Sequence, residues 1–311
     1  MITIITINYN LSAETIPCVN SILHSSYNDF SILLIDNGSK VEDYQKLMQY
    51  YKNEKRVEIL RIDKNVGYVE GVNHGLKHAL TNEAAYFMIM NNDTILDKDA
   101  IHYLVEAAKR HNNKAIVSGK VYYYDNPDVL QHTGVIFIDQ RYLKTAYPGK
   151  NEKDIGQFEK EEERDSLDDV FWLLPKNLVK DVGFYSEYFF LYAEQGDYAQ
   201  RARRKGYKLI FTPKAKIWHK ESLTTGGGNT KSLPVCYWRG QGQFVFAFRN
   251  LKRKYFFISI SKKILKLLVS TIINNTTKRK CAIATLRGYL WGLKWLFIRK
   301  PNDGKNPYVK S

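Results

Sequence analysis

Cysteine is scarce in this chain, and acid is nearly absent from its last quarter. The three cysteines, Cys18, Cys236 and Cys281, stand far apart with no CxxC pair, so their spacing suggests neither a disulfide framework nor a zinc knuckle. A reducing compartment is the expectation that follows. The opening MITIITINYN lacks the basic start and long apolar stretch of a signal peptide; it reads as a first strand, and export is not expected. Uninterrupted apolar runs of membrane-spanning length are missing too. Tyr255–Ile273 is broken by Lys262, Lys263 and Lys266, and Cys281–Ile298 by Arg287 and Lys294. A cation at a helix centre costs roughly 2.5–3.5 kcal/mol on insertion scales, which disfavours spanning. From Cys236 to Ser311, 17 Lys+Arg face one acid, Asp303, whereas residues 1–235 hold 30 against 31. The whole excess of the +15 net charge therefore lies in the tail.

What is present is core material: 44% of the 311 residues are hydrophobic, enough for one large α/β domain and an appendage. Apolar runs at Ile2–Ile7, Phe30–Ile35, Val57–Ile62 and Ala85–Met90 alternate with helical patterns near Ala13–Leu23, Asp43–Tyr51, Val69–Leu80 and Asp99–Arg110. That is the rhythm of βαβ units and a mainly parallel, doubly wound, Rossmann-like sheet. After Ile116 shorter strands near Ile116–Tyr123 and Gly134–Ile138 give a mixed second half. The charged stretch GKNEKDIGQFEKEEERDS reads as a mobile loop. Asp168–Leu174 reads as a strand entering Pro175 as first helical residue, and Ala193–Lys205 as a helix. The expected organisation is a nucleotide-binding half over 1–115, an acceptor-binding half over 116–235, and a basic, amphipathic helical region over 236–311.

Four strand exits carry polar groups: Asn8 and Asn10, Asp36 and Asn37, Lys64 and Asn65, and Asn91, Asn92 and Asp93. Open α/β sheets bind ligands at this edge, although each exit taken alone is also ordinary turn chemistry. Asp93 suits a divalent cation held mainly by phosphate oxygens. Glu194, Asp197 and Arg201 share one helical face, as dipole-stabilising acids or as a general base with its support. His219 follows an apolar run before TTGGG, read as a flexible segment, and is either structural or a further metal ligand that would favour manganese.

The order of these motifs resembles the family 2 glycosyltransferases of the GT-A fold, particularly the rhamnosyltransferase-like group of bacterial surface polysaccharide synthesis. The matching stretches are TINYN at Thr6–Asn10, DNGS at Asp36–Ser39, NVGYVEGVNHG at Asn65–Gly75, NNDT at Asn91–Thr94, Leu173–Tyr207, and WHKES at Trp218–Ser222. The resemblance implies an inverting glycosyltransferase that moves a sugar from a nucleotide-diphosphate sugar, UDP-hexose or dTDP-rhamnose, to a glycan or lipid-linked glycan, as in O-antigen or capsule synthesis. It implies that Asp36 meets the nucleobase, and that Thr6, Asn8, Asn10, Asn37, Lys64, Asn65, Gly67, Asn73, Asn91 and Asn92 belong to the donor site. Asp93 and His219 would hold Mn2+ or Mg2+. Gln195 stands where the family's usual base is an acid, which leaves Asp197, expected as base, with Glu194 in support; a binding protein with weak or lost turnover is the alternative. Phe171, Trp172 and Gln195 are expected at the acceptor surface. The tail is expected to dock on an anionic membrane at the cytoplasmic face or to pack as a helical pair on the catalytic domain, and the two can coexist; nucleic acid is not an expected partner because no nucleic-acid motif accompanies the charge.

Overall fold

Residues 1–220, 232–274 and 276–309 are described by this computed structural model of the chain. The TTGGG segment, with Glu221 and Ser222 of the WHKES motif, lies outside the described residues. The expected rhythm is realised as β1 (Ile2–Asn8), α1 (Ser12–Leu23), β2 (Phe30–Asn37), α2 (Val41–Tyr51), β3 (Val57–Ile62), α3 (Gly67–Ala79) and β4 (Tyr86–Met90). The four strands are parallel, side by side in the order β3, β2, β1, β4. Helices cover both faces of such a sheet, so β1, β2 and β4 are almost wholly apolar and buried. Ile2 and Ile4 enter one core layer, and Ile5 enters the other. Strand β3, at the margin, carries Glu58 and Arg61 and is only partly covered.

The second half adds β5 (Thr94–Leu96), α4 (Ala100–Arg110), β6 (Ala115–Tyr123), β7 (Leu130–His132), β8 (Ile136–Asp139), β9 (Lys144–Ala146), β10 (Glu162–Glu163), β11 (Phe171–Pro175), α5 (Lys176–Val182), α6 (Glu194–Arg204) and β12 (Lys208–His219). Strand β11 lies antiparallel between β4 and β6, with Phe171 opposite Met90. Its start is thereby carried to the exit of β4, where Asn91 N donates to Val170 O at 2.9 Å. The long β12 runs parallel to β6 and breaks register between Phe211 and Lys216, around Pro213, which has no N–H to give to a ladder. Its end then pairs antiparallel with β5, setting His219 opposite Thr94.

The structure corrects several expectations. Phe171 and Trp172 are not acceptor surface: β11 is a central strand, so Phe171 enters one core layer and Trp172 the other, beside Tyr185 and Tyr198. Pro175 closes β11 and stands at the N-cap of α5, whose first helical residue is Lys176, one residue later than expected. The charged loop returns to the sheet as β10, and its Asp154 and Glu159 pair with the buried Lys120 Nζ at 2.7 and 2.6 Å. A lysine so buried needs such anions.

The tail forms α7 (Leu233–Asn250), α8 (Arg253–Ile273) and α9 (Thr276–Ile298). The boundary placed at 235/236 falls inside α7, and the helices share core with the preceding half, since Val245 and Trp295 sit among residues of α3 and α6. Cys236 and Cys281 form a disulfide with Cα atoms 5.6 Å apart, tying α7 to α9. Sequence spacing could not show it, because the pairing depends on two helices lying side by side. The reading that cysteine spacing suggests no disulfide, and the reducing compartment expected from it, are withdrawn. Cys18 alone is free, and its burial pushes the thiol up to about 12.

Candidate active site

Every strand exit that opens toward the site ends in a turn stabilised by side chains. Asn8 Nδ2 lies within donating range of Asp36 Oδ1 (3.1 Å), Ser39 Oγ (3.0 Å) and Asp43 Oδ2 (2.9 Å). Its Oδ1 accepts from Thr15 Oγ1 at 2.8 Å, and Thr15 Oγ1 accepts from Asn92 Nδ2 at 2.8 Å. One network thus joins three of the expected donor residues, Asn8, Asp36 and Asn92. Asn10, in a left-handed conformation, is held to it through Ser39 Oγ and Lys40 N. Asp36 is buried, with Arg61 Nε 3.9 Å away, and its Oδ2 accepts no hydrogen bond from a described residue. A buried carboxylate oxygen without a donor is costly unless a ligand supplies one.

A second group surrounds the turn into α3. Asn37 Nδ2 donates to Gly67 O (3.1 Å) and lies 3.3 Å from Asn65 Oδ1, and Val66 N donates back to Asn37 Oδ1. Gly67 has φ +87°, and a Cβ there would meet the Phe190 ring at 2.6 Å, so glycine is required by conformation and by packing. Lys64 and Asn65 are exposed. Asn73 is not brought to this edge as a free group, since it spends both ends of its amide on the backbone of Tyr185, at 2.9 and 3.0 Å. Thr6 is buried within β1, its Oγ1 without a partner among the described residues.

The bend of β12 brings His219 Nε2 to 3.2 Å from Asp93 Oδ1, both groups buried. The other ring nitrogen, Nδ1, pairs with Gln131 Oε1 at 2.8 Å. When Nδ1 carries the proton toward that amide oxygen, the Nε2 lone pair faces the carboxylate, and a cation satisfies both. Among the described residues no third His, Cys, Asp or Glu completes a metal cluster. The pair therefore fits a hard cation whose remaining positions are filled by phosphate oxygens and water.

The acids of α6 separate. Before the helix, Tyr192 and Ala193 both have left-handed φ, 74° and 72°, a costly arrangement for two successive non-glycine residues and one that clusters at functional sites. Gly242 of α7 permits it, since a Cβ there would lie 2.2 Å from Tyr192 O. Glu194 follows, buried, with Oε2 unpartnered among the described residues. Burial, then the charges of Asp169 and Asp168, raise its carboxyl well above the ordinary range. Asp169 Oδ2 accepts from Tyr68 OH and Tyr185 OH, each at 3.0 Å, and burial with the neighbouring Asp168 pushes it up to about 7. Asp197 meets the opposite surroundings. It is fully buried and bound by Arg201 Nε (3.1 Å), Arg249 Nε (2.8 Å) and Asn250 Nδ2 (3.2 Å). Its oxygens are committed to a clamp between α6 and α7, which does not fit the expected base. Gln195, half-buried, has an Oε1 without a partner among the described residues. Asp169, Tyr68 and Gln131 were missed from the sequence; the Asp168–Asp169 pair before a buried strand was the available signal.

Residues 3–182 match the family model described as Glycosyl transferase family 2. The chain belongs to that family. Poly-beta-1,6-N-acetyl-D-glucosamine synthase of Staphylococcus epidermidis is 23% identical to it over 222 residues, 70% of this chain and 50% of that relative. The synthase of the same name from Staphylococcus aureus strain COL is 24% identical over 229 residues, 73% and 51% of the two chains. The transferase thus spans about half the length of these curated relatives. Among solved structures, GalNAc-T7 with UDP, GalNAc and Mn2+ superposes with TM-score 0.62 at 12% identity, covering 86% of this chain and 58% of the other. S. aureus TarS 1-349 gives TM-score 0.55 at 12% identity, covering 94% and 80%. The fold is GT-A, as the motif order implied.

Proposed function

We propose that this family 2 glycosyltransferase performs inverting transfer of a hexose from a nucleotide-diphosphate sugar to a hydroxyl of a glycan or lipid-linked glycan in surface polysaccharide synthesis. UDP-hexose and dTDP-rhamnose are the donors the reading admits. The observation that carries it is the meeting, at one sheet edge, of the Asp93–His219 pair with the acids at the start of β11 and α6. Glu194 is the base: it takes the acceptor hydroxyl proton as that oxygen bonds to the anomeric carbon and the bond to the diphosphate oxygen breaks on the opposite face. Its raised proton affinity makes it a stronger base when ionised. Asp36 Oδ2 accepts from the nucleobase or ribose, and Asn10, Asn37, Asn65 and Asn91 border the donor. Asp93 and His219 would hold Mn2+ or Mg2+, which when bound offsets the charge of the leaving diphosphate. The basic tail holds the enzyme at an anionic membrane surface; among the described residues no helix is long and apolar enough to cross one.

Thermal stabilisation by UDP and dTDP, with and without manganese, tests the donor site, since a ligand of the native state raises its apparent stability. Metal-dependent stabilisation by one diphosphate, lost in Asp93→Ala, is expected. No stabilisation by any nucleoside diphosphate contradicts the reading. Transfer to an acceptor mixture then separates turnover from binding alone.

A further inference from the structure

A cavity of about 440 Å³ lies between the β8–β9 hairpin and α8, away from the residues assigned above. Tyr142, Lys144, Thr145, Ser259, Lys262 and Lys263 line it. Its one acid, Asp139, is already paired with Arg141, whose Nη2 lies 3.0 Å from Asp139 Oδ2. None of the three lysines has a carboxylate within ion-pair distance among the described residues. Three cations and three hydroxyl groups around one space, with the only acid neutralised, suit a phosphate group.

The helix that forms one wall continues as an apolar surface. Phe256 and Ile260 of α8 turn inward, with Ile264 and Leu267 packed beside them. Leu265, Leu268, Val269 and Ile272 stand exposed, Ile272 at 81%. On α9, Leu290, Leu293 and Phe297 are exposed as well, Phe297 at 89%. Helices α8 and α9 carry half of all the large apolar side chains that are exposed among the described residues. A patch of this kind flanked by cations is the pattern of an interfacial helix.

We propose that this cavity is a headgroup site: Lys144, Lys262 and Lys263 bind the phosphate of an anionic phospholipid while the exposed α8 stripe lies among the acyl chains. The proposal deepens the membrane docking stated under the proposed function, and it needs no glycosyl transfer for its test. It makes docking specific to one place rather than spread over the tail, where net charge alone would act.

The test is flotation with vesicles of phosphatidylcholine, with or without 30% phosphatidylglycerol (a composition of roughly this order gives a strong surface potential). Two triple variants are compared with the native chain: Lys144→Gln/Lys262→Gln/Lys263→Gln, and Arg279→Gln/Lys280→Gln/Lys294→Gln, which removes the same charge from α9. A generic surface attraction is worth about fivefold per cation, so it weakens both triples alike. The headgroup site predicts binding to the anionic vesicles that falls at least about tenfold more in the first triple than in the second. Equal losses overturn the proposal in favour of diffuse attraction, and no loss in either overturns docking through the tail. Inorganic phosphate is the remaining arm: saturable binding of phosphate to the native chain, with no binding to either vesicle, makes the cavity a free-anion site and contradicts the lipid assignment. All exchanged side chains are exposed, so unchanged thermal melts are expected and confirm folding.

Discussion

Glu194 and Asp197 stand three residues apart in the first turn of one helix, yet they occupy opposite electrostatic surroundings. Glu194 faces acids, with Asp169 and Asp168 adding to its burial, and keeps an oxygen without a donor among the described residues. Asp197 faces cations and has its oxygens filled by Arg201, Arg249 and Asn250. The helix dipole favours an acid at either position, so the opposite surroundings come from what other segments deliver. Strand β11 brings acid to one residue; α7 brings arginine to the other. A carboxylate locked to two guanidiniums stabilises a helix interface, whereas one held among acids with a free oxygen is available for proton transfer.

The largest expected effect concerns the clamp. Asp197→Ala leaves two guanidiniums facing each other at a closed interface, and removal of one partner of a buried ion pair typically costs about 3–5 kcal/mol. Denaturant unfolding measures it. A loss below about 1 kcal/mol, the range of surface pairs, would place Asp197 outside the structural role.

The second effect is on the acid side. Asp169 has a folded value of about 7 against an ordinary 3.8, so the native state holds its proton more tightly than the unfolded chain. Stability from this group is present below about pH 4 and is lost as pH rises toward 7. Asp169→Asn is therefore expected to melt higher than the native chain above neutral pH, by several degrees, with the advantage vanishing in acid. The same exchange removes a charge beside Glu194, so the basic rise of the pH–rate profile should shift to lower pH. A profile that does not move would detach Asp169 from Glu194.

The smallest effect is expected at Gln195. Placing a carboxylate between the two contrasted residues, as Gln195→Glu, changes turnover by less than about threefold if proton transfer belongs to Glu194, because an added acid off the proton's path contributes little. A gain of an order of magnitude in a coupled transfer assay would return the role to position 195.

Much of this was legible beforehand. The buried runs of β1, β2 and β4 announce a parallel sheet, and the polar exits after them announce its working edge; the joining of Asp93 and His219 in one site follows from the family resemblance, since residue type and place alone leave His219 structural or ligand. What escaped was everything that depends on a partner distant in sequence. FWLLP reads identically as a parallel or antiparallel strand, so nothing told that β11 would carry Asp169 to the exit of β4. Arg249 lies 52 residues beyond Asp197, so the clamp was hidden while the helical face was plain. The motif order puts Phe171 and Trp172 at the acceptor surface, whereas the fold buries them in opposite core layers, Trp172 beside Tyr185 and Tyr198.

The central claim is the assignment of the base, and single-turnover transfer by Glu194→Gln and Asp197→Asn at saturating donor tests it most directly, at a temperature where both variants are folded. The account predicts a fall of about 10²-fold or more in Glu194→Gln with donor affinity unchanged, and a rate within about threefold of native in Asp197→Asn. The reverse ranking would contradict it.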